Sequence, residues 1–468
     1  MSSIVAGTRQ KTLRHPPGPT GNWPLGVMRD FRADALSTFL HLRETYGDAL
    51  RFRFLLHFHG HAFFHPDHVE HILVHNNRNY VKMRGPGNEL LRPVVGNGLL
   101  TSDGDFWLRQ RRLAQPAFHR RRIAAFSTTM TGAAGAMLDR WADRAGTGQP
   151  WDVAEEMRRL TLEIAGRTLF SVDLTGEAET IGDAFVTASQ KVIDYSAIPY
   201  GSLFLRVPFM PGVRTLNRNV AALDSVVNGL IAERRQRRRE GQGESADLLD
   251  MLMDARDEET GATMTDEQLR DEVMTLLLAG HETTALALSW TFYLLSQHPE
   301  VRERLEAEVD AVLGGRVPTM DDIHALAYTS QVIDEALRLY PPAYLLSRFV
   351  VENDVVDGYD IPAGSVLSLS PYVTHRHPEF WPEPERFDPD RFTPEQQAGR
   401  PRFAYFPFGG GPRQCIGNRF ALTEAVLVLA MVTQRYRLDL VPGHPIALEP
   451  LITLRPKHGI LVTSTGRS

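Results

Sequence analysis

The chain of 468 residues contains a single cysteine, Cys415. That excludes a disulfide framework and any zinc site built from several cysteines. It fits a reducing compartment, so a cytoplasmic location is expected. No run of about eighteen or more apolar residues occurs, so no membrane-spanning helix or membrane anchor is expected. The opening stretch MSSIVAGTRQKTLRHPPGPTG lacks the apolar core of a secretory signal. Positive charge is not in excess either: the net charge is −6, which argues against nucleic acid as a general partner. Internal repeats and low-complexity tracts are missing. Gly85 and Gly87 lack the third glycine and the preceding strand of a dinucleotide fingerprint. The chain is therefore expected to carry no flavin or nicotinamide module and no fused reductase.

What is present describes an ordinary globular protein, 43% apolar and 23% charged. Length alone suggests about three domains, yet no linker divides the chain. Residues 1–468 are expected to form one domain, large enough to enclose a cofactor. Residues 1–20 form an extended lead containing Pro16-Pro17-Gly18-Pro19. Residues 49–64, ALRFRFLLHFHGHAFF, alternate like a hairpin with Gly60 as the expected turn. Much of the chain onward to residue 345 has the helical period of about 3.6 residues. Gly- and Pro-rich breaks fall near 84–104, 207–213 and 241–245. Residues 347–373 return to short strands.

Cys415 lies in FPFGGGPRQCIGNRFALTEAVLVLA. Taken alone, a free cysteine reads as a small buried hydrophobe. Its surroundings point elsewhere. A glycine-rich loop lets another surface come close. The helix that follows aims its positive end at the sulfur, which favours thiolate. Phe408, Gly411, Arg413, Cys415 and Gly417 match the spacing F-x-x-G-x-R-x-C-x-G at every position. A chance match in a chain this long is expected roughly once in a thousand sequences or less. On these residues the chain resembles the cytochrome P-450 family of haem-thiolate monooxygenases.

The resemblance implies a mainly α fold with small β-sheets. It implies one b-type haem (iron protoporphyrin IX), with Cys415 as the axial ligand of the iron and Phe408 and Arg413 beside it. The implied reaction activates O2 with external electrons to hydroxylate or epoxidise an apolar small molecule: a fatty acid, terpenoid, steroid or polyketide. The electrons would come from a ferredoxin or flavodoxin with its reductase, and the protein would be a monomer. In membrane-bound members a proline cluster like that at 16–19 follows an anchor helix. Here the cluster stands without such a helix, so a soluble member is expected.

Four further motifs follow. A long helix is expected from about Thr265 to Gln297, capped by Thr265 and Gln268 and followed by Pro299. Its centre, LLLAGHETTALAL, holds a glycine that costs about 1 kcal/mol against alanine. Close approach of a flat ligand to Ala279 and Gly280 would account for it. By themselves, Thr283 could bond back to a carbonyl one turn earlier and Glu282 could reach solvent. The resemblance implies instead that they are the acid–alcohol pair that relays protons during oxygen activation. Glu335 and Arg338, three apart, share a helix face. With Arg391 they resemble the family's Glu-Arg-Arg triad, which is structural. Trp107 and Arg111, four apart, could face one ligand or be simply core and a solvated charge. The resemblance places both at a haem propionate, together with Arg348 and Arg413.

Two other features need a reading. Seven histidines (His57, His59, His61, His65, His68, His71 and His75) crowd residues 57–75, a spacing that can bind a transition metal. No cysteine or acidic triad accompanies them, so an ordinary hairpin and helix are expected. Arg109, Arg111, Arg112, Arg120, Arg121 and Arg122 cluster in a chain that is acidic overall. They are either a solvated helix face or, as the resemblance implies, a docking surface for an acidic electron donor. Rival readings are a peroxide-dependent or isomerase variant on the same fold and a non-enzymatic haem sensor. The Glu282–Thr283 pair argues against them.

Overall fold

The computed structural model describes residues 14–23, 25–55, 58–82, 86–196, 205, 207, 209–210, 212–241, 247–256, 261 and 263–467. Helices dominate and the strands form small sheets, as the sequence predicts. The organising element is one helix, Asp266–Gln297, about 48 Å long at 1.5 Å per residue. It starts and stops where the sequence says. The Thr265 hydroxyl accepts the Gln268 N–H at 3.2 Å, and the Gln268 side chain accepts the Thr265 N–H at 3.0 Å. Pro299 then opens the next helix. This helix is apolar on nearly every side, the pattern of a fully buried element. The helices Val153–Leu169, Ala327–Leu339 and Asn418–Arg435 pack around it.

Five strands form the larger sheet in the order Ala49–Leu55, Phe58–Phe63, Val366–Leu369, Leu346–Val350 and Tyr80–Val81. The expected hairpin is there, but its turn is not at Gly60. Gly60 sits within the second strand, opposite Phe52. The reversal lies between Leu55 and Phe58, and residues 56 and 57 fall outside the described ones. A Cβ on Gly60 would come 2.8 Å from the Phe52 ring, so the glycine serves ring packing and not chain reversal. A second hairpin, Leu448–Pro450 with Leu454–Pro456, lies against the central helix, where the Trp290 indole donates to Leu454 O at 3.0 Å.

The histidines of 57–75 disperse to separate partners. His57 lies outside the described residues. His71 meets Asp354 at 2.8 Å, His68 lies 3.6 Å from Asp357, and His65 caps the helix Pro66–Glu70. Burial holds His61 down at about 4. Among the described residues no three or more His, Cys, Asp or Glu side chains gather as a metal site.

The proline-rich lead is extended along the first strand. Pro17 O accepts the Arg51 N–H at 2.9 Å. No helix among the described residues is long and apolar enough to cross a membrane.

Candidate active site

The cysteine loop is built by close packing. Gly411 has a φ of +63°, and a Cβ there would collide with Leu73 O, so only glycine suits the position. Gly410 leaves room in the same way for the Phe403 ring. The Cys415 N–H donates to Phe408 O at 3.0 Å, closing the loop just before the helix Asn418–Arg435. The thiol has accessible surface although protein surrounds it at depth. It therefore faces an internal space and not bulk water. Burial pushes the thiol up from its ordinary value, while the Gly417 N–H, Arg111 and Lys82 pull it down. The sequence argument for a stabilised thiolate identified the second influence and missed the first.

Around the loop stands a group of cations. Arg111 donates to Gln414 O at 2.9 Å. Arg413 pairs with Asp103, donates to Ser102 O at 2.6 Å and lies over the Trp107 ring. Arg348 is 5% exposed, and burial, then Arg413, lowers it to about 10. Trp107 is buried.

Sequence reasoning missed Lys82. Its ammonium donates to Leu100 O at 3.1 Å. Burial, then Arg348 and Arg413, brings it down to about 7. A signal was available: the chain has four lysines, Lys11, Lys82, Lys191 and Lys457. One of the four stands beside the Pro- and Gly-rich break at 84–104.

Lys82, Arg348 and Arg413 thus crowd one buried region, and Asp103 is the carboxylate that acts on all three. Buried like charges are costly unless something anionic compensates them. The Arg413 Nη1 is buried without a hydrogen-bond partner. A thiol open to an internal space, beside excess cations with a donor to spare, fits a bis-carboxylate haem held through sulfur.

The central helix carries an opening of its own. From Leu269 to Ser296 only Ala279 is exposed, and Gly280 and Thr283 are half-buried. An exposed alanine in the middle of a core helix marks the same kind of internal opening. Gly280 does not serve as the sequence suggested. A Cβ built on it would point at the Val153–Leu169 helix, 3.6 Å from Leu169 Cδ1, in ordinary contact. Its bare side faces a neighbouring helix, and Ala279 provides the opening.

The Thr283 hydroxyl donates to Ala279 O at 2.9 Å, one turn back. Glu282 is 2% exposed and does not reach solvent. Its carboxylate instead faces Thr453 at 3.4 Å and Arg455 at 3.6 Å.

The triad forms. Arg338 donates to Glu335 through Nε at 2.6 Å and Nη2 at 2.8 Å, and both side chains are fully buried. Arg391 Nε lies 3.5 Å from Glu335 Oε1. Arg400, also missed from sequence, stacks 3.8 Å from the Trp381 ring centroid and donates to Arg391 O. Arg338 reaches on to His375 O at 2.9 Å, and His375 Nε2 accepts the Phe406 N–H at 2.9 Å. This chain of bonds ties the triad to the segment that leads into the Cys415 loop.

A thiol presented from a glycine loop, surrounded by protein and beside a crowd of buried cations, fits the haem-thiolate class. Comparison with known proteins narrows the class. The family model described as Cytochrome P450 matches residues 16–463. Cyclooctatin synthase of Streptomyces melanosporofaciens is 40% identical over 390 residues, covering 83% of each chain. Pentalenene oxygenase of Streptomyces avermitilis is 35% identical, covering 86% of this chain and 87% of its own. The crystal structure of the cytochrome P450DA heme domain superposes with a TM-score of 0.87 at 29% identity, covering 98% of this chain and 99% of its own. The chain belongs to the cytochrome P450 family. It is a haem-iron monooxygenase that acts on an apolar small molecule.

Proposed function

We propose that the chain binds one b-type haem between the Cys415 loop and the Ala279 face, and oxygenates a terpenoid-like cyclic alkene or alcohol. The observation that carries the reading is the Cys415 thiol, buried in protein yet open to an internal space. When bound, the haem supplies oxygen activation driven by external electrons. The chain's own residues supply the rest. Cys415 would ligate the iron as thiolate. Lys82, Arg111, Arg348 and Arg413, with the Trp107 N–H, would hold the propionates; Phe408 packs at the loop's entry. Thr283 and Glu282 would handle protons.

Support for the substrate class comes from relatives named for pentalenene and cyclooctat-9-en-7-ol. The apolar central helix supports it too. A single chain, one domain and a cytoplasmic location fit a protein whose one thiol must stay reduced.

Electrons would come from an acidic ferredoxin or flavodoxin with its reductase. Arg112, His119, Arg121 and Arg122 line a surface depression of about 820 Å3. Arg111 contacts Gln414 O, and Phe118 lies next to Gly417, so the depression adjoins the cysteine loop.

The test is a dithionite-reduced, CO-bound absorption spectrum of the purified protein, followed by titration with cyclic terpene alkenes and fatty acids. A thiolate-type CO band and a spin-state shift with the terpenes alone are expected. A spectrum typical of histidine ligation would refute the ligand, and a shift with fatty acids alone would refute the substrate class.

A further inference from the structure

The segment 94–103 is moored at both ends. At its foot it meets cations that stand beside the cysteine loop. The Lys82 ammonium donates to Leu100 O at 3.1 Å, the Lys82 N–H donates to Asp103 at 2.6 Å, and Arg413 donates to Ser102 O at 2.6 Å. At its head it meets the central helix. Asp271 accepts the Asn97 N–H at 2.6 Å, Glu272 accepts the Leu99 N–H at 3.1 Å, and Arg270 donates to Val94 O at 3.2 Å. The fit is close there. A Cβ on Gly96 would collide with the Asp271 carboxylate, and one on Gly98 with the Thr275 hydroxyl.

Glu272 and Ala279 are seven apart, so they share one stripe of the helix, about 10 Å from each other. The segment is therefore a strap that joins the stripe of Ala279 to the cations beside Cys415.

One mooring is incomplete. Glu272 is fully buried; its Oε2 takes the Leu99 N–H, and its Oε1 is buried with no hydrogen-bond partner. A neutral acid tolerates that setting far better than a carboxylate does, because a buried charge needs compensation. Little compensation is at hand. Asp271 beside it is another acid. Arg270 is engaged by Asp224 of the helix Val213–Arg239 and by Asp271, and Arg92 on the strap is engaged by Asn97. The neighbouring helices bring charges already paired: Arg158 with Glu155, Arg167 with Glu163, and Asp250 with Arg234 and Arg238. Among the described residues no cation pairs with Glu272. Burial raises its carboxyl to about 7, the Leu99 N–H lowers it, and Asp271 adds to the rise.

We propose that Glu272 is an acid-tightened latch on the strap 94–103. Protonated, it keeps the Leu99 N–H and holds the strap against the central helix; ionised, it lets the strap lift so that water reaches the carboxylate and small molecules enter faster. The latch is built from the chain alone. Its effect on entry rests on the reading that places haem between the Cys415 loop and the Ala279 face.

The direction follows from linkage. Lifting the strap returns the carboxyl from about 7 to its ordinary 4.5. Lifting therefore becomes easier as pH rises through that window, by up to about ten-fold per pH unit, and levels off above it.

The experiment uses the full haem-loaded chain and compares wild type with Glu272→Gln by amide hydrogen exchange at pH 5 and pH 8. Comparison at equal pH cancels the intrinsic exchange rate. Peptides covering 96–102 should exchange alike at pH 5, and in wild type about ten-fold or more faster than in Glu272→Gln at pH 8. Asp271→Asn should narrow the gap between the two pH values, and it keeps the test standing if Glu272→Gln does not fold. The association rate of phenylimidazole with the ferric haem, followed by absorption, should show the same pattern.

A wild-type to Gln exchange ratio that is the same at both pH values overturns the latch. So does a pH-dependent difference spread over the whole chain, which would report global destabilisation. If 96–102 lifts while phenylimidazole enters at an unchanged rate, the role in entry is overturned. Failure of the haem-thiolate reading would show in the reduced CO spectrum of the same preparation, whereas exchange reports on the strap whatever ligates the iron.

Discussion

The Arg413 guanidinium lies 4.2 Å from the centroid of the Trp107 ring while it pairs with Asp103. One side chain thereby joins the cysteine loop to the helix Gly104–Ala114, which also carries Arg111. A planar, delocalised cation stacks on an aromatic face where a compact ammonium does not. Arg413→Lys keeps the charge and loses the stack. It should release haem several-fold faster to an apo-myoglobin acceptor, with little change in secondary structure by circular dichroism. A release rate equal to wild type would mean the stack is incidental.

Ligation is tested at the sulfur. Cys415→Ser should abolish the thiolate-type band of the reduced CO complex and leave the helical content near wild type, because the Phe408 O and Gly411 contacts that shape the loop do not use the sulfur. Survival of that band in the variant would remove the central assignment.

Thr283→Ala should keep haem and substrate binding, since among the described residues its hydroxyl bonds to Ala279 O of its own helix. Product per NADPH should fall several-fold, with the difference appearing as peroxide. Coupling equal to wild type would reduce Thr283 to an ordinary back-bonded helix residue.

Donor docking is tested by charge reversal. Arg112, Arg120 and Arg121 are exposed, and Arg109 and Arg122 are half-buried. Changing two or three of them to Glu should slow reduction by an acidic ferredoxin about ten-fold or more at low salt, and the difference should shrink as salt rises. Peroxide-driven turnover bypasses the donor and should be unaffected. Unchanged reduction at low salt would put the docking surface elsewhere.

Glu272 gives a pH prediction. It is fully buried, accepts the Leu99 N–H at 3.1 Å, and burial raises it from 4.5 to about 7. A carboxyl whose folded value is raised binds its proton more tightly in the native state. Its contribution to stability is full below about pH 4.5 and is lost as pH rises through 7. Glu272→Gln should remove up to about 3 kcal/mol of pH dependence across that window. Urea denaturation at pH 5 and pH 8 measures it. An unchanged slope between the two would show that Glu272 titrates alike in the folded and unfolded chain.

Much of this protein was legible in its sequence. The spacing from Phe408 to Gly417 named the loop and the family. The capping residues Thr265 and Gln268 and the stop at Pro299 fixed the central helix. The pairing of Glu335 with Arg338 followed from helical spacing. All of these rest on contacts within a few residues, where backbone geometry leaves little choice.

The rest was decided by tertiary packing. Gly60 read as a turn because glycine permits one, but the Phe52 ring across the sheet claims its space. Gly280 read as room for a ligand, but the helix rotation set by Leu169 and Ala165 turns it elsewhere. Lys82 joins Arg348 and Arg413 from far along the chain, and Arg455 meets Glu282 from the far C-terminal part of the chain. No local pattern encodes such meetings. They arise when burying the apolar faces of the helices brings distant charged residues together, and burial itself then sets how strongly those charges act on one another.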